Sequence, residues 1–448
     1  FISLNRKRGT YTRLFENLEV ENDGLVSGLT HTSADINQKF KHHWFYGDLD
    51  INMTKDLQSF DNNRDNNSIN STNQMIALRY NGVIGPLGEV EFGFGNHDLQ
   101  EIQGLNNVSG MIMRNLDHNA KKFESRKYIN LNQVELMFSA QMEESVLRFW
   151  DDRAMNNVNQ IGLKGADLNR SQMGFASVIK LHSKGDDEGH WLTDLDLSIR
   201  QDVVKDSKSR LIFRKDHQGE NDGKAFLNFG ENDWKNTIVK VSTIASRRQL
   251  NQTMGFWMTT GSNMKFPTLQ QQISLTESDS GKTFSLFPEK MKSLELGFSI
   301  VSKQEQLENI DQLEFQGSFF KNDYINKMRV TYLLGLPVGF YENIEFAQMS
   351  GFEGKFKVKG YNQHLIGEVG FSKYNISDMS VFPFKSASKI TGAATGNWKF
   401  ISISYRWFSE GEQVGLILMP DKNFAEIELP PFSNYDLSIT LKAKVGRL

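Results

Sequence analysis

Residues 286–300 read LFPEKMKSLELGFSI, and the part of this stretch after the proline decides the fold. Apolar and polar residues alternate strictly from Leu294 to Ile300, in the order Leu-Glu-Leu-Gly-Phe-Ser-Ile. Successive side chains of a β-strand point to opposite faces of the sheet. The stretch therefore predicts a strand with one apolar face and one polar face.

The same period of two recurs along most of the chain. It is found at 48–54, 89–94, 194–199, 312–319, 401–407 and 437–445. Helical spacing is almost absent, and we expect at most one short helix, within a loop at 97–112. No linker or change of composition separates units of about 100 residues, the size of a β-sandwich domain. We therefore predict an all-β chain that forms one large antiparallel sheet.

Hydropathy leaves open a membrane protein that crosses the bilayer with strands. The mean hydropathy is -0.47, and no stretch approaches the ~18 consecutive apolar residues of a membrane helix. A membrane barrel needs apolar residues only at alternate positions, with aromatic girdles outside and polar residues inside. The charged and glycine-rich polar faces, with 33 phenylalanines, fit that description. We predict a transmembrane β-barrel of the bacterial outer membrane; a soluble β-sandwich has the same alternation and is the alternative.

The connections between strands are expected to differ in length. Short turns are predicted at 81–88 and 322–323, and longer polar loops at 59–73, 184–190 and 215–223. Short turns at one end of a sheet and long loops at the other are the layout of outer-membrane barrels.

Composition and motifs exclude several classes of function. The 51 basic and 54 acidic residues give a net charge of -3, which does not favour a nucleic-acid partner. Cysteine is absent, so disulfides, thiolate metal sites and cysteine nucleophiles are excluded. The nine histidines are scattered, and no zinc-protease, phosphate-loop, nucleophile-elbow or dinucleotide motif occurs. We expect no enzyme, no metal site and no cofactor.

Four segments in the second half of the chain carry motif-like residues. MKFPTL (264–269) contains Phe266, Pro267 and Thr268. LFPEKMKSLELGF (286–298) contains Leu286, Pro288, Glu289, Glu295 and Gly297. NIEFAQMSGFEGKF (343–356) contains Asn343, Ala347, Gly351 and Glu353, and LPPFSNYDLSITLKA (429–443) ends the series.

These segments, in this order and spacing, resemble the barrel of TonB-dependent outer-membrane transporters. FFKNDYIN (319–326) also resembles the family's aromatic strand end before a short loop. The first segment departs from the family's Phe-x-x-Pro-Thr pattern, because Phe266 directly precedes the proline. We interpret the twelve motif residues as structural markers, and we name no ligand-binding residues. Gly297 and Gly351 are expected to leave room on the polar face, and Pro267 and Pro288 to lie in loops.

The resemblance implies uptake of a scarce nutrient, such as an iron chelate, haem, cobalamin, a glycan or a peptide. It also implies a complete barrel of about 22 strands and a plug domain through which a TonB-type protein supplies energy. Strand alternation begins near 14–20, and the family match stops before a final strand. We therefore expect residues 1–448 to be one barrel domain, incomplete at both ends, with no recognisable N-terminal plug.

The expected partners are outer-membrane lipid and a TonB-type energising protein acting through an unseen plug segment. An outer-membrane lipoprotein or an assembly partner is a further candidate. No nucleic-acid partner is expected. Three other functions remain open at this stage. The chain could be a non-transporting barrel subunit of an outer-membrane assembly, a passive porin with fewer strands, or a soluble all-β enzyme or adhesin.

Overall fold

The computed structural model describes most of the chain. The described residues are 2–13, 25–42, 45–62, 67–107, 110–154, 163–183, 189–213, 230–273, 286–303, 309–333, 339–418 and 424–441. The alternation predicted near 14–20 lies outside them, as does most of the loops predicted at 184–190 and 215–223.

Nearly all the described residues are in strands. The first ten strands are β1 (Ile2–Arg13), β2 (Leu25–His42), β3 (Phe45–Asn62), β4 (Asn67–Ile84), β5 (Gly88–Asn107), β6 (Gly110–Leu131), β7 (Val134–Ala154), β8 (Leu163–His182), β9 (Trp191–Phe213) and β10 (Asn232–Gln249). The others are β11 (Gln252–Lys265), β12 (Glu289–Lys303), β13 (Ile310–Leu333), β14 (Gly339–Gly360), β15 (Leu365–Ile376), β16 (Ser388–Trp398), β17 (Ile401–Glu410), β18 (Gln413–Leu418), β19 (Phe424–Leu429) and β20 (Phe432–Leu441). The helical elements are α1 (Leu269–Gln272) and the 3₁₀ turns Gly85–Leu87 and Met379–Val381.

The strands form one sheet with a simple order. Each strand from β1 to β17 pairs antiparallel with the next one, and β20 then pairs with β17. Strands β18 and β19 form a separate hairpin, whose β18 runs parallel to the end of β13. The predicted all-β antiparallel sheet is confirmed. The expected number of about 22 strands for a complete barrel stays a prediction.

One face of the sheet, which we call the outer face, is apolar and exposed. Its register places Met258, Leu296, Phe319 and Phe352 side by side on four neighbouring strands. These side chains remain 38–46% exposed. In a β-sandwich such a face would be buried against a second sheet, so the sandwich alternative is wrong.

The opposite face, which we call the inner face, is polar and concave. On the same four strands, the residues next to the outer-face row are Trp257, Gly297, Ser318 and Glu353, and these lie on the inner face. Inner-face residues of strands as far apart as β8 and β15 line one cavity of about 680 Å³. The total accessible surface is 28658 Å², whereas a compact globular protein of this mass exposes about 17,000 Å². The sheet therefore curves around a lumen, as in a large barrel.

The two ends of the sheet carry different connections. At one end, the short-turn end, strands are joined by connections such as 132–133, 250–251, 361–364 and 399–400. At the other, the loop-bearing end, the connections include 214–231, 266–288 and 377–387, and the segment 411–431 that contains the β18–β19 hairpin. The predicted layout is found only in part. The connection 183–190, which includes the long loop predicted at 184–190, lies at the short-turn end, and 108–109 joins β5 to β6 with two residues at the loop-bearing end. No helix of the described ranges is long and apolar enough to cross a membrane.

Four local predictions were wrong or only partly right. Residues 97–112 form no helix, because β5 continues to Asn107 and β6 starts at Gly110. The turn predicted at 322–323 lies inside β13, and so does the strand end expected within 319–326. Most of the loop predicted at 59–73 belongs to β3 and β4. The turn at 81–88 is present and contains Gly85–Leu87.

Candidate functional site

The connection between β11 and β12 turns inward at the first motif segment. Phe266 stacks on Trp234, with ring centroids 5.9 Å apart and an interplanar angle of 19°. Pro267 is fully buried, and its missing N–H is not needed there because the residue lies outside the strands. Thr268 then caps α1: Gln271 N donates to Thr268 Oγ1 at 3.1 Å, and Thr268 N donates to Gln271 Oε1 at 2.9 Å.

Apolar contacts hold α1 against the wall of the sheet. Leu269 and Ile273 are each 3% exposed. They pack into a cluster on the inner face of β6 to β8, formed by Leu116, Leu147, Phe149, Ala166 and Leu168. Because these strands lie several positions away from β11 in the sheet, α1 reaches across the concave face and narrows the lumen at its loop-bearing end.

A buried charge pair adds a polar anchor to the same contact. Arg170 Nε and Nη2 donate to the two carboxylate oxygens of Asp206 at 2.7 and 2.8 Å. The side chains of this pair are 7% and 0% exposed. Asp206 Oδ2 also accepts from Asn232 Nδ2 at 3.0 Å and from Gln272 Nε2 of α1 at 2.8 Å. This fully bonded carboxylate therefore ties β8, β9, β10 and α1 together.

The second and third motif segments anchor the return of the same connection. Leu286 and Pro288 are buried, and Phe287 exchanges two hydrogen bonds with the side chain of Asn343. Asn343 Nδ2 also donates to the carbonyl of Asn326 at 2.9 Å. Asn326 has a positive φ of 54°, a conformation that asparagine tolerates better than most residues.

We expect Asn343→Ala to loosen this anchor by about 1–2 kcal/mol, because three backbone groups lose their partner. The local measurement is hydrogen exchange at the Phe287 amide, which donates to Asn343 Oδ1 at 2.7 Å. Exchange should accelerate in Asn343→Ala, while Asn343→Asp, which keeps the acceptor, should retain most of the protection. Equal protection of this amide in all three proteins would show that the contact does not hold the segment.

Glu289 anchors the beginning of β12. Its carboxylate accepts from Lys327 Nζ at 3.0 Å and from the backbone N–H of Met328 at 3.0 Å. The side chain is only 9% exposed. The Lys327 ammonium also lies 5.1 Å from the ring centroid of Tyr324. The carboxylate therefore fixes the strand after the loop to the neighbouring strand β13.

Gly297 lies on the inner face farther from the loop-bearing end, under the indole of Trp257. A Cβ atom at position 297 would overlap that ring. The indole Nε1 donates to Glu295 Oε1 at 3.1 Å. The glycine thus provides the space in which the aromatic side chain lies flat against the wall.

We expect Gly297→Ala to cost about 1–3 kcal/mol, because the methyl group must displace the indole. Gly367→Ala is the control, since a Cβ there meets no atom within 4 Å. Chemical unfolding compares the two variants, and tryptophan fluorescence reports whether the indole moves. The account of Gly297 is wrong if both variants unfold like the parent chain with unchanged emission.

The remaining motif residues lie on β14. Ala347 is 1% exposed and packs with Tyr324 and Val381. Gly351 lies under the rings of Phe320 and Tyr374. These two close packings require small residues, because a larger side chain would push away the aromatic groups.

Glu353 belongs to a charged part of the lumen wall. Its Oε1 accepts from the hydroxyl of Tyr374 at 2.7 Å, and Lys385 Nζ lies 4.3 Å from the centroid of that ring. Glu295, Arg200 and Lys240 line the same cavity. The wall thus presents both signs of charge to water.

A second connection from the loop-bearing end, 377–387, also folds inward. Arg329 donates to Glu342 Oε1 at 2.7 Å through Nη2 and to Ser380 Oγ at 3.3 Å through Nη1. Phe384 N donates to the carbonyl of Val414 in the β18–β19 hairpin at 2.8 Å. The loop-bearing end of the lumen is therefore lined by three folded segments: 266–273, 377–387 and the hairpin.

The twelve motif residues fall into two groups. Phe266, Pro267, Thr268, Leu286, Pro288, Glu289 and Asn343 anchor the β11–β12 connection, whereas Glu295, Gly297, Ala347, Gly351 and Glu353 line the wall on β12 and β14. Sequence reasoning missed the anchor Arg170–Asp206–Gln272. Its members are isolated polar residues in sequence, and only the strand register brings them together.

The prediction that the histidines are scattered was only partly right. His97 and His118 come into ring contact on the inner face, 6.1 Å between centroids, although their positions in sequence indicated no cluster. No group of three or more His, Asp or Glu side chains suited to a metal ion occurs in the described ranges.

No protein-family model and no curated protein matches the sequence. Solved structures do match it. The copper transporter OprC has a TM-score of 0.66 at 10% identity, over 99% of this chain and 68% of that one. The FrpB iron transporter of Neisseria meningitidis has 0.61 at 11%, over 98% and 69%. The pyoverdine outer membrane receptor FpvA of Pseudomonas aeruginosa, bound to pyoverdine, has 0.59 at 10%, over 98% and 67%.

The chain thus spans about two-thirds of the length of these proteins. The likeness extends along essentially all of the chain, so it concerns the whole sheet and is not confined to the motif segments. The chain has the barrel fold of these transporters and receptors, which is the fold that its resemblance to TonB-dependent outer-membrane transporters predicted.

Proposed function

We propose that the chain is the barrel of a TonB-dependent outer-membrane transporter that takes up a scarce nutrient through its lumen. The observation that supports this best is the inward-folded segment 266–273 of the β11–β12 connection, with Phe266 and Thr268 at its start and Glu289 and Asn343 holding the chain where it enters β12. This segment narrows the lumen on the side of β6 to β8.

The outer face supports residence in a membrane. Apolar side chains on neighbouring strands form one continuous exposed surface, far larger than the few hundred Å² that a soluble monomer usually exposes. Hydrocarbon would cover this surface, while the charged inner face would stay in water. The proposed location is the bacterial outer membrane.

The inner face supports selection rather than catalysis. Arg200, Lys240 and Lys385 line the cavity together with Glu295 and Glu353, so the wall does not favour a ligand of one charge. The similar proteins are described as a copper transporter, an iron transporter and a receptor bound to pyoverdine. We propose a ligand in this range, a metal ion or its chelate, with haem, cobalamin, glycans and peptides as the wider class.

In the proposed mechanism, the ligand binds at the loop-bearing end and passes through the lumen when an energised partner of the TonB type displaces a plug. The α1 segment acts as a fixed constriction on one side of this path. Its buried anchor on Asp206 keeps the constriction in place during passage.

Two rival functions predict different behaviour. A passive porin would let solutes through without an energising partner. A non-transporting barrel subunit would give no uptake and would depend on an assembly partner of the outer membrane. The likeness to solved transporters and receptors favours the transporter over the open pore, and uptake itself distinguishes the transporter from the non-transporting subunit.

The test uses the producing bacterium with the gene deleted, and a complemented strain. Uptake of radiolabelled metal chelates should fall on deletion, return on complementation, and fall again when the TonB-type protein is removed. Uptake that continues without that protein would support the porin. Unchanged uptake on deletion, with loss of an outer-membrane complex, would support the structural subunit.

A further inference from the structure

The register places three side chains with metal-binding atoms next to one another on the inner face of β4, β5 and β6. Met75 and His97 are direct register partners on β4 and β5. His97 pairs with Ala120 on β6, so His118 is its diagonal neighbour on the same face. The small side chain of Ala120 leaves the two imidazoles free to approach each other.

The distance between the imidazoles suits one shared ion. Their centroids are 6.1 Å apart and the ring planes meet at 75°. A metal–nitrogen bond of about 2.0–2.1 Å puts each ring centroid about 3.2 Å from the metal, so two rings on one ion lie at most ~6.4 Å apart. The observed separation falls within this limit.

The hydrogen bonding also orients one ligand. His97 Nε2 donates to Asn73 Oδ1 at 2.7 Å, so the lone pair of Nδ1 remains available. An outer hydrogen bond of this kind usually fixes the orientation and tautomer of a metal-binding histidine. Asn73, one strand away on the same face, therefore acts as a positioning residue.

The group lies near the edge of the apolar part of the wall. Its outward-facing neighbours are mixed: Gln74, Asn96, Asp117 and Asn119 are polar, whereas Ile76 and Val146 are apolar.

We propose that Met75, His97 and His118 bind one Cu⁺ ion on the inner face. Thioether sulfur is a soft ligand that selects Cu⁺, and imidazole accepts copper readily. Hard cations such as Ca²⁺ and Mg²⁺ prefer several oxygen ligands, and Met75, His97 and His118 offer only sulfur and nitrogen. The proposal rests on the strand register, the separation of the two imidazoles and the hydrogen bond to Asn73, and it holds whether or not the chain transports anything.

The test titrates the full chain, folded in detergent, with Cu⁺ under reducing conditions against a coloured competing chelator. One ion should bind per chain. His97→Asn and His118→Asn should each weaken binding by at least about tenfold, the size of effect seen when even an outer partner is lost. His182→Asn is the matched control, because that histidine lies on the inner face of β8, bonded to Asp194. The Cu⁺ affinity of the His182→Asn variant should equal that of the parent chain.

X-ray absorption of the copper-loaded chain provides the second measurement. The parent chain should show one sulfur and two nitrogen neighbours, and Met75→Leu should lose the sulfur while keeping the nitrogens. Asn73→Ala should weaken binding by about 10–100-fold, which tests the site even if a histidine variant fails to fold. Parent-like affinity in both histidine variants, or a sulfur signal that survives Met75→Leu, would overturn the proposal.

Discussion

Replacing Asp206 by asparagine should lower the free energy of unfolding by about 3–5 kcal/mol, the usual effect of leaving a buried charge without its partner. Arg170 would keep its guanidinium in a site where its side chain is 7% exposed. The amide also replaces one carboxylate oxygen by a second donor, facing the donors Asn232 and Gln272. Chemical unfolding of the chain in lipid bilayers measures the change.

A matched control distinguishes the buried pair from ordinary surface charge. Lys355 and Glu368 form an ion pair of 2.9 Å with side chains 43% and 36% exposed. Glu368→Gln should change the stability by no more than about 1 kcal/mol. If Asp206→Asn behaves like this control, the four-way contact with α1 contributes nothing to stability, and the anchored constriction has to be abandoned.

The second large effect is expected on the outer face. Leu296→Arg should destabilise the chain in lipid bilayers by about 2–4 kcal/mol, the cost of a charge near the middle of the hydrocarbon layer. Leu296 is 45% exposed and is surrounded by Met258 and Phe319 on the neighbouring strands. In a protein surrounded by water, a charge in place of an exposed leucine would cost almost nothing.

The control for this effect is on the opposite, inner face of the same strand. Ser293 lines the inner cavity of about 680 Å³, so Ser293→Arg adds a charge that reaches water. It should change the stability by less than about 0.5 kcal/mol, as expected of a surface substitution. Equal effects of the two arginines, measured by unfolding in the same bilayers, would argue against a lipid-facing outer face.

The sequence predicts the sheet well wherever the outer face is apolar. At 294–300 the alternation determines both the strand and the direction of each side chain, because only one face of a membrane strand is buried in lipid. The same holds for 312–319 and 401–407, which lie within β13 and β17. The faces predicted from period two are those found in the register.

The pattern fails where strands continue beyond the apolar part of the wall. At 97–107 the outer face of β5 is mostly polar, and the apolar residues Leu99, Ile102 and Leu105 come at every third position, so the alternation disappears and the spacing is no guide. The same reason explains why much of 59–73 was predicted as a loop. At 322–323, Asn and Asp are common turn residues, but they lie in the middle of β13 and are held by pairing on both sides.

The site was predictable only where it coincides with contiguous motifs. Phe266, Pro267 and Thr268 mark the point at which the chain leaves β11, because proline ends a strand and threonine caps a helix. The residues that hold this segment on the wall could not be predicted in the same way. Arg170 and Asp206 are 36 residues apart, and a single shift in register would place them on opposite faces.

The most direct test of the membrane barrel uses the absence of cysteine from the chain. Single cysteines are introduced along β12 and spin-labelled after reconstitution into lipid vesicles. The outward positions are 294, 296, 298 and 300, and the inward positions are 293, 299 and 301. Collision with lipid-soluble oxygen should dominate at the outward positions, and collision with a water-soluble nickel complex at the inward ones, in a period of two. Access of the nickel complex to both sets alike would contradict a barrel whose outer face lies in lipid.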